Sequence, residues 1–198
     1  MKIDPNKVYG DVHLGDWGLQ IGLVITELAE RFPEERCFAA DFDPDKDAVS
    51  LDQLEPIDKW ALNRLDELNN KCKDAFDKFE YHIIFHAIHN FCVVDMSNFY
   101  LDVIKDRLYI EKPDSVSRRA AQSAMYQILD KLTRLIAPIL AFTSDEIWQF
   151  MPHKSSDDKR NIIFNSMPSV EGNTDAELIA RWDRIHEIRD DVKKALEN

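Results

Sequence analysis

Residues 90–119 read NFCVVDMSNFYLDVIKDRLYIEKPDSVSRR, and this stretch decides the fold. Up to Leu108 its apolar side chains recur every three or four positions, which is the spacing of the buried face of an amphipathic helix. Pro113 disfavours helix at the residue before it, and Ser115 or Ser117 can cap a helix that follows. The stretch therefore predicts two helices that meet at a corner, where an apolar face gives way to cations.

The region before this corner predicts two long helices. Pro56 fits the first turn of the earlier one, where its missing N–H costs nothing. The inward positions of that helix are Ile57, Ala61, Leu65, Leu68, Cys72, Ala75, Phe76 and Phe79. The second helix runs from about Tyr81 to Leu108, and its length and hydrophobic width predict the central member of a bundle. Its inward positions are Ile84, Phe85, Ile88, Phe91, Cys92, Met96, Phe99, Val103 and Ile104. At the edge of this stripe, Asp95 is expected to reach solvent or a polar partner.

The region after the corner predicts three further helices. The first of them must kink or end at Pro138, and its apolar positions are Ala121, Ala124, Met125, Ile128, Leu129, Leu132, Leu135 and Ile136. A Thr-x-x-Glu capping box from Thr143 predicts the next start, and Ile147, Trp148 and Phe150 are expected to close the bundle. We expect a polar loop over 153–161 and a short extended piece over 161–164. The last helix spans 175–197, with apolar positions Leu178, Trp182, Ile185, Ile188 or Arg189, Val192, and Ala195 or Leu196.

The composition bounds the architecture and the compartment. A chain of 198 residues with 44% hydrophobic content can bury one good core and carry an appendage. Its three cysteines, Cys37, Cys72 and Cys92, lie far apart and form no Cys-x-x-Cys pair, so we expect neither a disulfide framework nor a metal site. No apolar run approaches the length of a membrane span, and no signal-peptide pattern follows Met1. These features predict a cytoplasmic protein with no membrane partner.

The charge of the chain is unevenly distributed. A net charge of −12 argues against a protein that coats nucleic acid nonspecifically, because phosphate binding needs local cations. Residues 1–60 hold 6 Lys/Arg against 14 Asp/Glu, whereas residues 105–134 hold 7 against 4. A basic window on an acidic body is compatible with docking of one specific RNA.

Several motifs resemble the anticodon-binding helical domain of isoleucyl-tRNA synthetases, over about residues 37–198. They are Asp41-Phe42-Asp43-Pro44-Asp45-Lys46-Asp47, Asp58-Lys59-Trp60-Ala61-Leu62-Asn63-Arg64-Leu65, the 90–119 stretch and Leu135-Ile136-Ala137-Pro138-Ile139-Leu140-Ala141-Phe142-Thr143-Ser144-Asp145-Glu146-Ile147-Trp148. Weaker matches follow at Met167-Pro168, Arg181-Trp182-Asp183 and Arg189-Asp190-Asp191-Val192. The resemblance implies an all-α, antiparallel helical bundle of the class I synthetase type. It also implies tRNA as the partner, tRNA-Ile in particular, and no cofactor.

An earlier segment, about residues 8–34, resembles the catalytic domain of arginyl-tRNA synthetases through Gly10-Asp11-Val12-His13-Leu14-Gly15-Asp16-Trp17-Gly18-Leu19-Gln20-Ile21-Gly22. The ATP-binding His-x-Gly-His signature of that family is missing, because Asp16 follows His13-Leu14-Gly15. We therefore divide the chain into an arginyl-like fragment (1–36) that can form a helix over 17–32, an acidic linker (37–55) and the helical bundle (56–198). A natural fusion, a gene-model error across a gap or the choice of fragment would each produce such a composite.

The candidate tRNA-binding residues lie at the corner. Lys105 and Arg107 end one predicted helix, Arg118 and Arg119 begin the next, and together they can present cations to one run of phosphates. Tyr109 lies beside them and can stack on a splayed base. The alternative to RNA contact is an ordinary surface ion pair of Arg107 with Glu111 or Asp114. Aromatic residues at helical spacing are more often core, which is the interpretation we favour for Trp60 and Trp148.

Three histidines, His82, His86 and His89, lie along one line of the second predicted helix. Two of them could chelate a transition metal, but no carboxylate or thiolate joins them at ligand spacing. We expect no metal there, and interpret the histidines as a polar seam between helices.

The sequence favours a noncatalytic tRNA-binding domain of an isoleucyl-type class I synthetase. His13, Asp16 and Gln20 resemble positions near the arginyl active site, but the chain has no Lys-Met-Ser-Lys-Ser loop and no Gly-x-x-x-x-Gly-Lys loop to hold ATP phosphates. Catalytic residues are therefore not assigned. Two alternatives remain open: an acidic protein-interaction module with a vestigial tRNA surface, and a fragment that completes a synthetase in trans with the remainder of the enzyme.

Overall fold

Helices form the framework of the protein. The computed structural model describes residues 42–169 and 175–196, so the arginyl-like segment and its predicted helix over 17–32 lie outside the described residues. The helices are α1 (Pro56–Asp77), α2 (Tyr81–Asn90), a π-helical segment (Phe91–Tyr100), α3 (Leu101–Val103), α4 (Lys105–Tyr109), α5 (Val116–Ile136), α6 (Ala141–Phe150) and α7 (Ala176–Leu196). Within the two described ranges there is no strand, and the all-α prediction is confirmed.

The two helix boundaries predicted from proline and serine are confirmed. Pro56 is the first residue of α1. The Ser115 hydroxyl accepts a hydrogen bond from the backbone N–H of Arg118 at 3.1 Å, so Ser115 caps α5 and leaves Ser117 for another role. At its other end α5 stops at Ile136, two residues before Pro138.

Two local predictions in the second half of the chain are wrong. Helix α6 begins at Ala141, because the backbone N–H of Ser144 already donates to the carbonyl of Leu140, and Thr143 therefore lies inside the helix instead of capping it. The expected extended piece is a 3-10 turn, Ile162–Phe164. Its first N–H groups are satisfied locally by the Asn161 side chain and by Asp145, which leaves no ladder for a strand to join.

The main core lies between α1, α2, the π-helical segment and α5. Trp60, Leu65, Ile84 and Ile104 are among its fully buried side chains. A second cluster consists of Phe42, Tyr126, Trp148, Met151 and Ile162. The core positions of Trp60 and Trp148 are confirmed, since their exposed fractions are 1% and 0%.

Part of the predicted linker packs on the bundle. Phe42 and Leu54 are buried, and a 3-10 turn (Leu51–Gln53) lies before α1. The backbone N–H of Val49 donates to the Ser123 hydroxyl of α5 at 3.1 Å. From residue 42 onward, the acidic segment is therefore attached to α5.

The predicted helix over 81–108 is continuous except at Ile104, but ten of its residues adopt π-helical geometry. A π-helix takes more residues per turn, so the inward face shifts along the sequence. Val103, predicted to be inward, is consequently 48% exposed, while Tyr100 and Ile104 are fully buried. Asp95 does find a polar partner, Arg64 of α1, at 3.4 Å. Burial nevertheless raises the pKa of the Asp95 carboxyl.

The turn between α1 and α2 corrects another inward position. Phe79 lies beyond the end of α1, with φ of 58° and 76% of its side chain exposed. The N–H of Glu80 donates to the carbonyl of Ala75 and that of Phe79 to the carbonyl of Phe76, which is a Schellman ending. A phenylalanine therefore occupies the left-handed position that usually takes glycine.

Helix α7 confirms the last predicted helix and the first part of its inward face. Leu178 and Trp182 pack against the main core, with His186 and Arg189 against Phe99. Leu178, Trp182 and Arg189, the last as the alternative to Ile188, are therefore inward as predicted. Ile185, Val192 and both Ala195 and Leu196 are exposed, contrary to the prediction. The inward face of α7 is determined by the rings of Trp60 and Phe99, against which Trp182 packs. The apolar periodicity of α7 itself does not reveal these distant partners. Phe150 of α6, also predicted to be inward, is 62% exposed because it ends its helix.

Candidate nucleic-acid interface

The α4–α5 corner, residues 105–119, contains all five predicted tRNA-binding residues. Helix α4 supplies Lys105, Arg107 and Tyr109, and the first turn of α5 supplies Arg118 and Arg119. The corner is closed by the Ser115 cap and by a hydrogen bond from the Ser115 hydroxyl to the Glu111 carboxylate. The structure thus brings the five residues to one corner, but their side chains have different surroundings.

Arg107 points into the protein, where it meets a buried carboxylate. Its two terminal nitrogens donate to the two carboxylate oxygens of Asp58 at 3.0 and 2.7 Å, which is a bidentate pair. Asp58 is 0% exposed, and only 12% of the Arg107 side chain is exposed. Tyr100 donates its hydroxyl to the same carboxylate at 2.9 Å. Burial, with the neighbouring Asp58 charge, raises the pKa of Tyr100 well above its usual value.

Arg107 also holds the first turn of α5. Its Nε donates to the Ser117 hydroxyl at 3.0 Å and one terminal nitrogen donates to the Ser117 carbonyl at 2.7 Å. The Ser117 hydroxyl in turn donates to Glu55 at 2.6 Å. Burial opposes the charge on Arg107, but the hydrogen bonds and charge of Asp58 outweigh it and raise the pKa of the guanidinium.

The alternative that paired Arg107 with Glu111 or Asp114 is therefore wrong. The partners are Asp58 and Glu55, about 50 residues earlier in the chain. Both belong to the start of α1, where Glu55 is the N-cap and Asp58 the third residue. The buried Asp58 carboxylate accepts from both terminal nitrogens of Arg107, and bidentate, charge-assisted pairs of this kind are the strong ones.

Arg118 and Arg119 also bond to the protein. Arg118 is 8% exposed, and its Nε donates to the carbonyl of Leu108 at 3.2 Å, which joins the two helices of the corner. Arg119 donates to Gln122 at 3.0 Å and lies 3.7 Å from a carboxylate oxygen of Asp47. Its side chain is 18% exposed. Both arginines contribute positive potential to the corner while remaining mostly covered.

Lys105 and Tyr109 form the solvent-facing part of the corner. The Lys105 side chain is 44% exposed, and its ammonium lies 2.6 Å from Asp102, one turn earlier. Surface pairs of this kind contribute little, so a phosphate can replace the carboxylate. Tyr109 is 50% exposed. Ile110 and Val116, which the sequence reasoning missed, are 77% and 56% exposed beside it. The sequence does indicate that these two side chains are exposed, because both are apolar residues next to the Pro113 connection and lie outside the predicted inward faces.

The three histidines do not form a seam between helices. His82 and His86 are exposed and His89 is half-buried, and the ring of Phe85 contacts His86 and His89 with centroid distances of 5.0 and 5.7 Å. They lie at the surface because α2 packs through Ile84, Ala87 and Ile88. Across the described ranges, no group of three or more His, Cys, Asp or Glu side chains is arranged to hold a metal ion. No helix in these ranges is long and apolar enough to cross a membrane.

Comparison of the sequence with protein-family profiles gives one match. The profile of the anticodon-binding domain of tRNA ligases matches residues 58–198, a range that includes the whole α4–α5 corner. The match begins at Asp58, the buried partner of Arg107.

Individual relatives agree with this match. An isoleucine–tRNA ligase of Syntrophotalea carbinolica is 53% identical over 156 residues, which cover 79% of this chain and 17% of that protein. The isoleucine–tRNA ligases of Thermoanaerobacter sp. and Natranaerobius thermophilus are 49% and 50% identical over 158 and 159 residues. The chain covers 17% of the length of each of these relatives.

Proposed function

The chain belongs to the family of anticodon-binding domains of tRNA ligases, and from this premise we propose that it binds the anticodon stem-loop of tRNA as part of an isoleucine-type synthetase. The observation that carries the proposal is the family match over 58–198, together with identities near 50% to isoleucine–tRNA ligases. The favoured partner is tRNA-Ile, because the relatives are named for isoleucine. These comparisons favour RNA binding over the protein-interaction alternative.

The binding surface in this proposal is the α4–α5 corner. Lys105 is the phosphate contact, since its exposed ammonium is paired with a surface carboxylate, that of Asp102. Tyr109 stacks on an unpaired base, for which its half-exposed ring is suited. Arg119 adds a second cation at the start of α5. Arg107 and Arg118, being buried, support the surface from beneath and contribute positive potential to it.

The charge pattern suits a specific partner. The body of the chain repels phosphates through its net charge of −12, so only RNA that engages the basic corner gains counterion release. Binding should therefore weaken steeply with salt and discriminate by shape. Such a surface does not retain RNA in general.

In this proposal the chain supplies RNA binding and no catalysis of its own. The 198 residues contain no Lys-Met-Ser-Lys-Ser loop, and residues that hold ATP would come from the remainder of a synthetase. The natural compartment is the cytoplasm, where buried free thiols such as Cys72 and Cys92 stay reduced.

The test is a filter-binding titration at several salt concentrations. The ligands are tRNA-Ile, a second tRNA and an unrelated RNA duplex of similar length. We expect tRNA-Ile to bind more tightly than the other two, with log Kd rising linearly with log salt. Equal binding of tRNA and duplex at moderate salt would overturn the proposal.

A further inference from the structure

We propose that Asp58 is the positioning residue of the α4–α5 corner: it fixes Arg107, and through Arg107 the start of α5, in the geometry that presents Lys105 and Tyr109 to RNA. This inference rests on the proposed function, because it concerns how the same surface is held. Asp58 does not touch RNA itself, since its side chain is 0% exposed.

Both oxygens of the Asp58 carboxylate accept hydrogen bonds. One oxygen accepts from the Tyr100 hydroxyl and from Arg107, at 2.9 and 3.0 Å. The other accepts from Arg107 and from the backbone N–H of Glu55, at 2.7 and 3.2 Å. Four donors, from Glu55, Tyr100 and Arg107, converge on one carboxylate, and together they fix its orientation.

The hydrogen-bond network of Asp58 and Arg107 closes into a ring. The Arg107 guanidinium, which bonds to Asp58, also donates to the hydroxyl and the carbonyl of Ser117, and the Ser117 hydroxyl donates to Glu55. Glu55 caps α1, three residues before Asp58. The ring therefore ties the start of α1 to α4 and to the first turn of α5. A displacement of any one of these elements would break several charge-assisted bonds at once.

The α4–α5 connection itself is exposed at Lys112, Pro113 and Asp114. Two other bonds cross the corner, from the Ser115 hydroxyl to the Glu111 carboxylate and from Arg118 to the carbonyl of Leu108. Neither of these two bonds reaches α1, whereas the Arg107 pair with Asp58 does. A buried ion pair adds little net stability but can select one arrangement. Fixing the corner before RNA arrives reduces the ordering cost of binding.

The sign of an affinity change distinguishes positioning from simple electrostatics. Asp58→Asn removes one negative charge from a chain of net charge −12. Coulomb attraction alone would then make a polyanion bind more tightly. Loss of the bidentate pair releases Arg107 and the start of α5, so positioning makes RNA bind more weakly.

Asp66→Asn is the matched control. Asp66 lies two turns further along α1, is 9% exposed and forms its ion pair with Lys131 of α5 at 3.0 Å, away from the corner. The substitution removes the same charge from the same helix. We expect tRNA binding by this variant to be unchanged within about twofold, or slightly tighter.

The experiment measures Kd for tRNA by filter binding with wild type, Asp58→Asn and Asp66→Asn, at a temperature where circular dichroism shows each variant folded. We expect binding by Asp58→Asn to be about tenfold weaker. A folded Asp58→Asn that binds as tightly as wild type, or more tightly, overturns the inference. Failure of wild type to prefer tRNA overturns the proposed function instead, so the two failures are distinguishable.

Arg107→Lys decides the matter if Asp58→Asn does not fold. It keeps the positive charge but cannot form the bidentate pair and the Ser117 bonds together. We expect weaker tRNA binding, by about fivefold, with an unchanged slope of log Kd against log salt. Binding equal to wild type, or a slope lowered by about one phosphate contact, would show that Arg107 is not a positioning group.

Discussion

Arg107 shows how a permanently charged residue is accommodated inside this bundle. Its guanidinium meets the Asp58 carboxylate in a fork-to-fork pair, and two further N–H groups bond to Ser117. A charge in such a site is tolerated because these four hydrogen bonds replace contacts with water, and it becomes costly when one partner is removed. At the scale of the residue, the pair is therefore a sensitive point of stability.

Asp58→Ala is expected to lower the free energy of unfolding by about 3 kcal/mol, because it leaves the Arg107 charge buried without its carboxylate. The measurement is urea denaturation followed by circular dichroism. The double variant Asp58→Ala with Arg107→Met removes the stranded charge and should recover part of the loss. A double variant less stable than Asp58→Ala alone would contradict this account.

Cys72 and Cys92 are expected to resist alkylation in the folded protein. Burial raises the pKa of each thiol to about 12, so at pH 8 only about one molecule in ten thousand carries the reactive thiolate. Iodoacetamide labelling followed by peptide mass spectrometry checks this. In denaturant the pKa returns to about 8.5 and both residues should label rapidly. Native labelling as fast as denatured labelling would refute the burial.

At the scale of the element, the way each helix ends and the face it buries determine which side chains meet in the core. The π-helical segment shifts the inward face of the central helix, which places Tyr100 against Asp58 and Asp95 against Arg64. Helix α7 packs on the bundle through contacts between Leu178 and Arg189, and residues 191–196 are all exposed. The turn after α1 is the one place in the described ranges where a non-glycine residue has positive φ.

Phe79→Gly is expected to raise the free energy of unfolding by about 1 kcal/mol. The left-handed conformation is unfavourable for phenylalanine but not for glycine, and the exposed ring loses little packing. Thermal melting checks the direction.

The control for that prediction is Phe142→Gly. Phe142 is also exposed, at 95%, but it lies in the first turn of α6. Glycine there should destabilise by up to about 1 kcal/mol, because helical backbone is entropically costly for it. If both variants changed stability in the same direction, strain at Phe79 would not be the cause.

At the scale of the whole molecule, an acidic body presents a basic corner. The charge of −12 opposes any polyanion, whereas the cations of the corner act locally. If RNA binds at the corner as proposed, the salt dependence of binding counts the phosphate contacts formed there.

Lys105→Gln is expected to weaken tRNA binding and to lower the salt slope by about one. Arg160→Gln is the control, because Arg160 is 76% exposed and lies in the loop that bonds to Trp148 and Arg134, toward the far end of α5. Its substitution should leave the slope unchanged. Filter binding over a salt series measures both. Equal slopes for the two variants would remove Lys105 from the contact surface.

The sequence by itself determined the helices, the all-α class and the family. Apolar spacing, Pro56, Pro138 and the Ser115 cap are local signals, and each acts on the backbone within a turn or so of its own position. The five candidate residues were also correctly placed at one corner, because α4 and α5 are adjacent in the chain.

Only the tertiary structure decided which of those residues face solvent. Arg107 turns inward because Asp58, 49 positions earlier, is buried beside it, and no local pattern joins the two. The inward face of α7 depends in the same way on Trp60 and Phe99. Periodicity indicates that a helix has an apolar face, but long-range packing and buried charge determine what that face contacts and which cations remain exposed to solvent.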